Sequence, residues 1–295
     1  MAALSRRGLL IGAGALAGLA AASTTLARAE PDLSGVDFGA FEDRYDALVG
    51  IWAVDLDTGR QMVNRADDSF AMCSTFKVYA AGRVLQRERA GALHLSDAVT
   101  IEPADLVSNS PITEQHVGAT MTIGELCEAA LQRSDNTAGN WLLRIIGGPP
   151  AVTDFARSIG DDRTRLDRWE TALNSAIDGD PRDTSSPRAL GAGFQRLLTG
   201  DVLAREQRDR LEGWMRGNQT SSLRAGLPEG WTSADKTGAG DFASTNDVGV
   251  VYGPNGRRAV LSMMTRSRSD DPDAPSLRPL IGELTAAVLP YLTTG

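Results

Sequence analysis

The chain of 295 residues is poor in three residue types that often carry catalytic chemistry: lysine, histidine and cysteine. It has two of each. His94 and His116 lie in no metal-binding spacing and in no recognisable triad, so a histidine-activated hydrolase gains little support. Two cysteines allow at most one disulfide and cannot form a zinc cluster. We therefore expect no metal and no cofactor.

The scarcity of lysine draws attention to the two lysines that are present. Arginine serves wherever positive charge is sufficient, but its guanidinium does not release a proton in a protein, whereas a buried lysine can act as a base. Lys77 and Lys236 therefore occupy positions that require an amine. Lys77 follows Ser74 by three residues, and on a helix this spacing puts the hydroxyl beside the amine. A hydroxyl next to a base is an activated nucleophile.

Residues 1–29 have the pattern of an export signal that is removed from the mature protein. Arg6 and Arg7 precede an apolar run, and residues 27–29 form a small-x-small cleavage site, so the mature chain is expected to begin at Glu30. The arginine pair resembles a twin-arginine signal, which predicts export to the periplasm or the medium in the folded state. An uncleaved anchor is the alternative; after signal removal we expect no stable membrane association.

The mature chain is acidic. The signal holds three basic and no acidic residues, so 27 basic and 38 acidic residues remain, a net charge of −11. Such a surface repels the phosphate backbone, and nucleic acid is not an expected partner.

Hydrophobic periodicity places strand patterns at both ends of the chain and helical patterns between them. The first strand pattern covers 47–55 and leads into a hairpin. The helical patterns lie at 75–89, 123–132, 137–146, 149–159, 187–198 and 204–216. After them come strand patterns at 231–235, 247–252 and 258–266 and a last helix at 277–292.

This order predicts an α/β (α+β) fold, in which an antiparallel sheet flanked by helices is built from both chain ends. The predicted α/β domain comprises 30–66 and 218–295, and an all-helical domain at 67–217 is inserted into it. A compact loop around Glu170 belongs to the helical domain. A cleft at the junction of the two domains is the expected site.

Four short motifs could carry the chemistry. In chain order they are Ser74-Thr75-Phe76-Lys77, Ser134-Asp135-Asn136, the segment from Glu170 to Asn174, and Lys236-Thr237-Gly238. Each is common by itself, but in this order and spacing they resemble the class A serine β-lactamases over essentially the whole mature chain. The resemblance includes Arg168 and Asp183, which flank the Glu170 loop and look like the family's loop-closing ion pair.

The resemblance implies a monomer that acts on a small-molecule β-lactam without metal or cofactor. Ser74 is the expected nucleophile, with Lys77 or Glu170 as the acylation base, and the choice between them stays open. Ser134 is expected to pass a proton to the leaving nitrogen. The backbone N–H groups of Ser74 and Ala239 are expected to form the oxyanion hole.

The resemblance also assigns substrate contacts. Lys236 and Thr237 are expected to receive the carboxylate of the antibiotic, and Asn136 the amide of its side chain. Asn174 is expected to hold the hydrolytic water together with Glu170. The full set assigned to substrate binding is Asn136, Asn174, Lys236, Thr237, Gly238 and Ala239.

The sequence departs from the family pattern at three positions. Asn109 stands where many relatives carry an aromatic residue that lines the mouth of the cleft. Thr245 stands where some relatives have an arginine that assists the carboxylate, and Arg224 and Arg278 are the candidates for replacing it. Ala81 stands where disulfide-bearing relatives carry the partner of Cys127, so no disulfide is expected.

Two other functions share most of these motifs. A D-alanyl-D-alanine carboxypeptidase or penicillin-binding protein lacks the glutamate of the loop, and a β-lactam-sensing module would become acylated and stop. General-base help is typically worth about 10²- to 10⁴-fold in rate. Glu170 and Asn174 therefore favour an enzyme that turns over and confers antibiotic resistance.

Overall fold

A computed structural model describes residues 35–293 of the chain. The predicted export signal at 1–29 lies outside the described residues. The described part belongs to a single compact unit, so the division into two domains stays a prediction. None of its helices is both long and apolar enough to cross a membrane.

The described residues form eight α-helices and nine strands. The helices are α1 (Phe38–Tyr45), α2 (Phe76–Arg89), α3 (Ile123–Gln132), α4 (Asn136–Ile146), α5 (Pro149–Ser158), α6 (Pro187–Leu198), α7 (Arg205–Arg216) and α8 (Arg278–Thr293). The strands are β1 (Ala47–Asp55), β2 (Gln61–Asn64), β3 (Phe70–Ala71), β4 (Ala98–Thr100), β5 (Thr120–Thr122), β6 (Thr184–Ser185), β7 (Thr232–Ala239), β8 (Thr245–Tyr252) and β9 (Arg258–Ser267).

Five strands form one antiparallel sheet in the order β2-β1-β9-β8-β7. The pairing of β1 with β9 runs from Ala47 opposite Ser267 to Asp55 opposite Ala259, and it joins the N-terminal hairpin to the C-terminal strands. The predicted fold class is therefore confirmed. Strand β7 lies at the edge of the sheet, where it packs against α7 and against the turn that contains Ser74.

Each face of the sheet has its own hydrophobic core. Side chains alternate along a strand, so Val49 and Ile51 of β1 pack with α1 and α8, whereas Trp52 and Val54 pack with the helices on the other face. Helix α6 lies directly on that second face, against β1, β8 and β9. The sheet is thus buried on both sides.

Local capping determines where the helices near the site begin. The Thr122 side chain accepts from the Glu125 N–H at 3.2 Å while the Glu125 carboxylate accepts from the Thr122 N–H at 2.7 Å, a capping box that starts α3. The carboxylate of Asp135 accepts from the Ala138 N–H at 2.8 Å and caps α4. The aspartate of the Ser134-Asp135-Asn136 motif is therefore a structural residue, and it fixes the two residues beside it.

Three features differ from the expectations. The region 67–217 is not all helical, because it also contains the two short strand pairs β3–β6 and β4–β5. Helix α1 was not predicted from the sequence. Strand β7 continues four residues beyond the predicted end at 235, through Lys236-Thr237-Gly238-Ala239, because the ladder with β8 is maintained despite polar and glycine residues.

Cys73 and Cys127 are free and buried.

A pair of helical glycines tests the packing of α6 on the sheet. A Cβ atom at Gly191 would lie 2.5 Å from the Trp52 ring and 2.8 Å from the Ser262 Cβ, whereas a Cβ at Gly213 in α7 would meet no atom within 4 Å. We expect Gly191→Ala to lower the free energy of unfolding by about 1–3 kcal/mol. Gly213→Ala should raise it by up to about 1 kcal/mol, because alanine has the higher helix propensity.

Urea unfolding of both variants measures the two changes. Equal effects of the two substitutions would contradict the close approach of α6 to the sheet.

Candidate active site

Ser74 lies in a tight turn at the start of α2, where strand β7 passes close by. The preceding Cys73 has a positive φ of 46°, a backbone conformation that costs a non-glycine residue about 1–3 kcal/mol. A Cβ at Gly238 would lie 2.7 Å from the Met72 carbonyl oxygen, so glycine is needed for the strand to approach the turn. This approach puts the strand end with Ala239 next to Ser74.

The amine of Lys77 is the centre of the site. It donates to Ser74 Oγ at 2.9 Å, to the Ser134 carbonyl oxygen at 2.9 Å and to Asn136 Oδ1 at 2.7 Å. It also lies 3.0 Å from Glu170 Oε1, and both side chains are fully buried. An ammonium has three protons, so it cannot satisfy four acceptors at once. The Ser74 hydroxyl can instead donate, and Glu170 Oε1 lies 3.3 Å from it.

Glu170 is fixed by two asparagines. Asn174 Nδ2 donates to Glu170 Oε2 at 2.7 Å. Asn140 makes two hydrogen bonds to the backbone of the same residue. Its Oδ1 accepts from the Glu170 N–H and its Nδ2 donates to the Glu170 carbonyl oxygen, both at 3.0 Å. The peptide bond between Glu170 and Thr171 is cis. The carboxylate is thus held towards Ser74 from the far side of the cleft.

An ion pair closes the loop that carries Glu170. Arg168 Nε donates to Asp183 Oδ2 at 2.5 Å, and the Asp183 carboxylate is fully buried. Its other oxygen accepts from the N–H groups of Asp167 and Arg168 at 2.7 and 2.9 Å. The two residues that the sequence pairs therefore meet, and the contact spans the neck of the loop.

Lys236 faces the same serine motif from the opposite wall. Its amine donates to Ser134 Oγ at 3.0 Å and to the Thr237 carbonyl oxygen at 2.8 Å. Burial and the positive charge of Lys77 lower the pKa of Lys236 to about 7. The amine can therefore exchange a proton near neutral pH. The Thr237 hydroxyl lies 2.5 Å from that of Thr220, on the side of the cleft that opens past β7.

Comparisons with known proteins identify the family. The sequence profile of a group described as the beta-lactamase enzyme family matches residues 37–292. The chain belongs to this family. Beta-lactamase FAR-1 of Nocardia farcinica is 42% identical over 99% of this chain and 95% of its own length.

Solved structures extend this finding to the fold. A beta-lactamase from Desulfarculus baarsii has a TM-score of 0.84 at 42% identity, covering 87% of this chain and 96% of that one. The class A beta-lactamase of the last common ancestor of Gram-negative bacteria has a TM-score of 0.81 at 45% identity, covering 85% of this chain and 96% of that one. The membership in class A that the four motifs indicate is confirmed.

Two residues of this β-lactamase site, Asn140 and Thr220, were not singled out from the sequence. Neither was Asp247, which is buried behind the site on β8 and accepts from the Ser222 and Leu223 N–H groups. Asn140 lies four residues after Asn136 on α4, so helical spacing could have indicated that the two amides share a face. Thr220 and Asp247 carry no local signal, because their contacts come from segments far apart in the chain. Among residues 35–293, no cluster of histidine, cysteine, aspartate and glutamate side chains could hold a metal ion.

The two arginines that could assist the substrate carboxylate differ in how they are bound. The Arg224 guanidinium donates to Ser233 Oγ at 2.7 Å and to the Asn218 carbonyl at 2.6 Å, and it pairs with Asp235 at 3.2 Å. Arg278 is exposed, and it donates to the Thr220 carbonyl at 2.6 Å. The donors of Arg224 are largely committed to the protein, which leaves Arg278 as the better placed of the two.

The ion pair at the neck of the loop gives a test with an internal control. Removing Arg168 would leave the Asp183 carboxylate buried without its partner, so we expect Arg168→Ala to lower the free energy of unfolding by about 3 kcal/mol. Arg182 is half exposed and pairs with Asp180, so Arg182→Ala should cost at most about 1 kcal/mol.

Thermal unfolding measures the loss of stability, and limited proteolysis shows where it occurs. Cleavage within residues 168–183 of Arg168→Ala, but not of Arg182→Ala, is the expected pattern. Similar stability and cleavage of the two variants would mean that the pair does not close the loop.

Proposed function

We propose that this class A β-lactamase hydrolyses the lactam amide of penicillins and cephalosporins through an acyl intermediate on Ser74, and so confers resistance to these antibiotics. The observation that carries the proposal is the placement of the Glu170 carboxylate, 3.3 Å from Ser74 Oγ and 3.0 Å from the Lys77 amine. A nucleophile and two groups that can accept its proton therefore share one buried site.

In acylation, Ser74 Oγ attacks the lactam carbonyl carbon as its proton moves either to Glu170 or to Lys77, which can accept it after passing one of its own protons to Glu170, 3.0 Å away. The N–H groups of Ser74 and Ala239 would stabilise the oxyanion. The C–N bond then breaks, and the nitrogen takes the proton of the Ser134 hydroxyl. Lys236, which donates to that hydroxyl at 3.0 Å, can replace the proton.

In deacylation, Glu170 removes a proton from a water molecule, and the resulting hydroxide attacks the ester carbonyl. The Ser74 oxygen leaves and takes up the proton that Glu170 removed from the water, which returns Glu170 to the carboxylate. Asn174 holds the Glu170 carboxylate at 2.7 Å and would help to hold the water. This step distinguishes hydrolysis from the arrested acylation of a carboxypeptidase, a penicillin-binding protein or a sensing module. Glu170 therefore favours turnover over those alternatives.

The carboxylate of the antibiotic would bind beside β7, next to the segment that follows α7 and the first residue of α8. Lys236 offers a positive charge and Thr237 a hydroxyl, and Thr220 and Arg278 adjoin them. Asn136 would bind the side-chain amide of the substrate. Gly238 would contribute by its close approach to the Ser74 turn rather than by a contact of its own.

We also propose that the enzyme is exported by the twin-arginine route, loses residues 1–29 and works as a monomer in the periplasm or the medium. The arginine pair and cleavage pattern in the sequence support the route.

The central test separates acylation from deacylation. With excess benzylpenicillin, the mature protein should hydrolyse the antibiotic catalytically while the intact mass of the protein stays near that of the free protein. Glu170→Gln removes the base for water but keeps the shape of the side chain, so kcat should fall by about 10²- to 10⁴-fold. A one-to-one adduct should then accumulate in the mass spectrum.

Glu229→Gln is the matched control, because Glu229 lies exposed in a turn away from the site. It should turn over normally and accumulate no adduct. A lasting adduct on the unmodified protein would favour a penicillin-binding protein or sensor. The absence of both an adduct and hydrolysis would refute the proposal for penicillins.

The two arginines should differ in kinetic effect. Arg278→Ala should raise KM for benzylpenicillin by about tenfold with little change in Tm, because a charge-assisted hydrogen bond to the carboxylate is lost. Arg224→Ala should mainly lower Tm, because its guanidinium joins Ser233, Asn218 and Asp235. Steady-state kinetics and thermal unfolding of both variants measure this difference, and the reverse pattern would assign the carboxylate to Arg224.

A further inference from the structure

Two carboxyl groups are buried on one face of the β7–β8 ladder, directly behind the strand that carries Lys236. Thr237 is opposite Asp247 and Asp235 is opposite Gly249, so the side chains of Asp235 and Asp247 project from the same face. Both residues are fully buried. Gly249, which is opposite Asp235, has no side chain, so no side chain at that position separates Asp235 from its diagonal neighbour Asp247.

The donors around the two carboxyl groups are unevenly distributed. Asp235 accepts from Asn218 Nδ2 at 2.7 Å and from Ser233 Oγ at 2.5 Å, and it pairs with the Arg224 guanidinium at 3.2 Å. All three contacts to Asp235 are therefore made by hydrogen-bond donors, one of which carries a positive charge.

Only one oxygen of Asp247 has donors. Its Oδ2 accepts from the N–H groups of Ser222 and Leu223 at 2.7 and 2.9 Å. Its Oδ1 has no hydrogen-bond partner among the described residues. A buried carboxylate oxygen without a donor is costly, whereas the same oxygen carrying a proton can donate to the carboxylate beside it.

The charges point in the same direction. The Arg224 guanidinium pairs with Asp235, and two like charges on neighbouring buried side chains disfavour the ionisation of both. Burial and the negative charge of Asp235 raise the pKa of Asp247 well above its usual range. The other charged groups near the pair are the amine of Lys236 and, beyond it, Lys77 and Glu170.

We propose that Asp247 keeps its proton in the folded enzyme and donates it to Asp235, so that the pair carries one negative charge instead of two. The retained proton makes the adjoining carboxylate-binding site more positive by one charge. Asp247 is therefore a positioning residue: it touches no substrate, but it sets the charge that Lys236 and Thr237 present to an anionic substrate. This role in binding rests on the proposed function, whereas the protonation itself does not.

Asparagine at 247 imitates the protonated acid, since its amide can donate to Asp235 and accept from the two N–H groups. A carboxyl whose pKa is raised by folding holds a proton that the unfolded chain releases, so stability falls as pH rises from the unfolded pKa to the folded one. Asp247→Asn removes this loss. Its Tm relative to that of the unmodified enzyme should therefore climb by about 3 °C per pH unit above about pH 4.

A Tm difference that stays flat or shrinks between pH 4 and pH 9 would overturn the proposal. This comparison needs no turnover, so it can succeed even if the enzyme fails to hydrolyse penicillin. Infrared titration of the unmodified enzyme is independent of how the variant folds. We expect the carbonyl band of one protonated carboxyl group to persist at neutral pH. The proposal would be contradicted if every such band disappeared over the pH range in which the surface carboxyl groups ionise.

The kinetic consequence is tested by charge counting. Because the replaced group is already neutral, Asp247→Asn should leave the apparent pKa of the KM profile for benzylpenicillin unchanged. The double variant Asp235→Asn/Asp247→Asn removes the remaining negative charge and should lower that apparent pKa. If the apparent pKa instead falls by equal amounts, first from the unmodified enzyme to Asp247→Asn and then from Asp247→Asn to the double variant, both carboxyl groups are ionised in the enzyme.

Discussion

The site depends on the enclosure of the Lys77 amine. A fully buried amine in a charged state has to be surrounded by acceptors, and four lie within 3.0 Å of it. They come from the start of α2, the turn before α4, α4 itself and the Glu170 loop. Three segments that are distant in the sequence, around Ser74, around Ser134 and Asn136, and around Glu170, are therefore held together at one atom. Because an ammonium has three protons for these four acceptors, the Ser74 hydroxyl can either accept a hydrogen bond from Lys77 or donate one to Glu170.

Much of the surrounding structure serves to keep these acceptors in place. The buried Asp135 carboxylate caps α4 and accepts from the Ile112 N–H in the loop between β4 and β5, which fixes Ser134 and Asn136 on either side of it. Asn140 and the Arg168–Asp183 pair hold the Glu170 loop at two separate points. Gly238 lets the edge strand pass the Ser74 turn. None of these groups needs to react, but the distances between the reactive groups depend on them.

The sequence contained the local part of this arrangement. Ser74 and Lys77 are neighbours because of helical spacing alone, and α3 and α6 have the bounds that periodicity predicts. The end of β7 was placed too early because Lys236-Thr237-Gly238 has neither alternation nor β-branched residues beyond threonine, and only the ladder with β8 keeps it extended. Thr220 and Asp247 act through contacts with segments that are distant in sequence, so no pattern within their own segments could reveal them. The roles of the individual site residues remain predictions.

The two lysines face opposite electrostatic constraints, which explains why neither could be an arginine. Lys77 is surrounded by oxygen acceptors, including the Glu170 carboxylate, whereas Lys236 is buried beside a second cation that lowers its pKa to about 7. Ser134 lies between them: its carbonyl accepts from Lys77 and its hydroxyl accepts from Lys236. A proton delivered to the leaving nitrogen can therefore be replaced from an amine that gives it up near neutral pH. A guanidinium at either position would keep its charge but could not take part in that exchange.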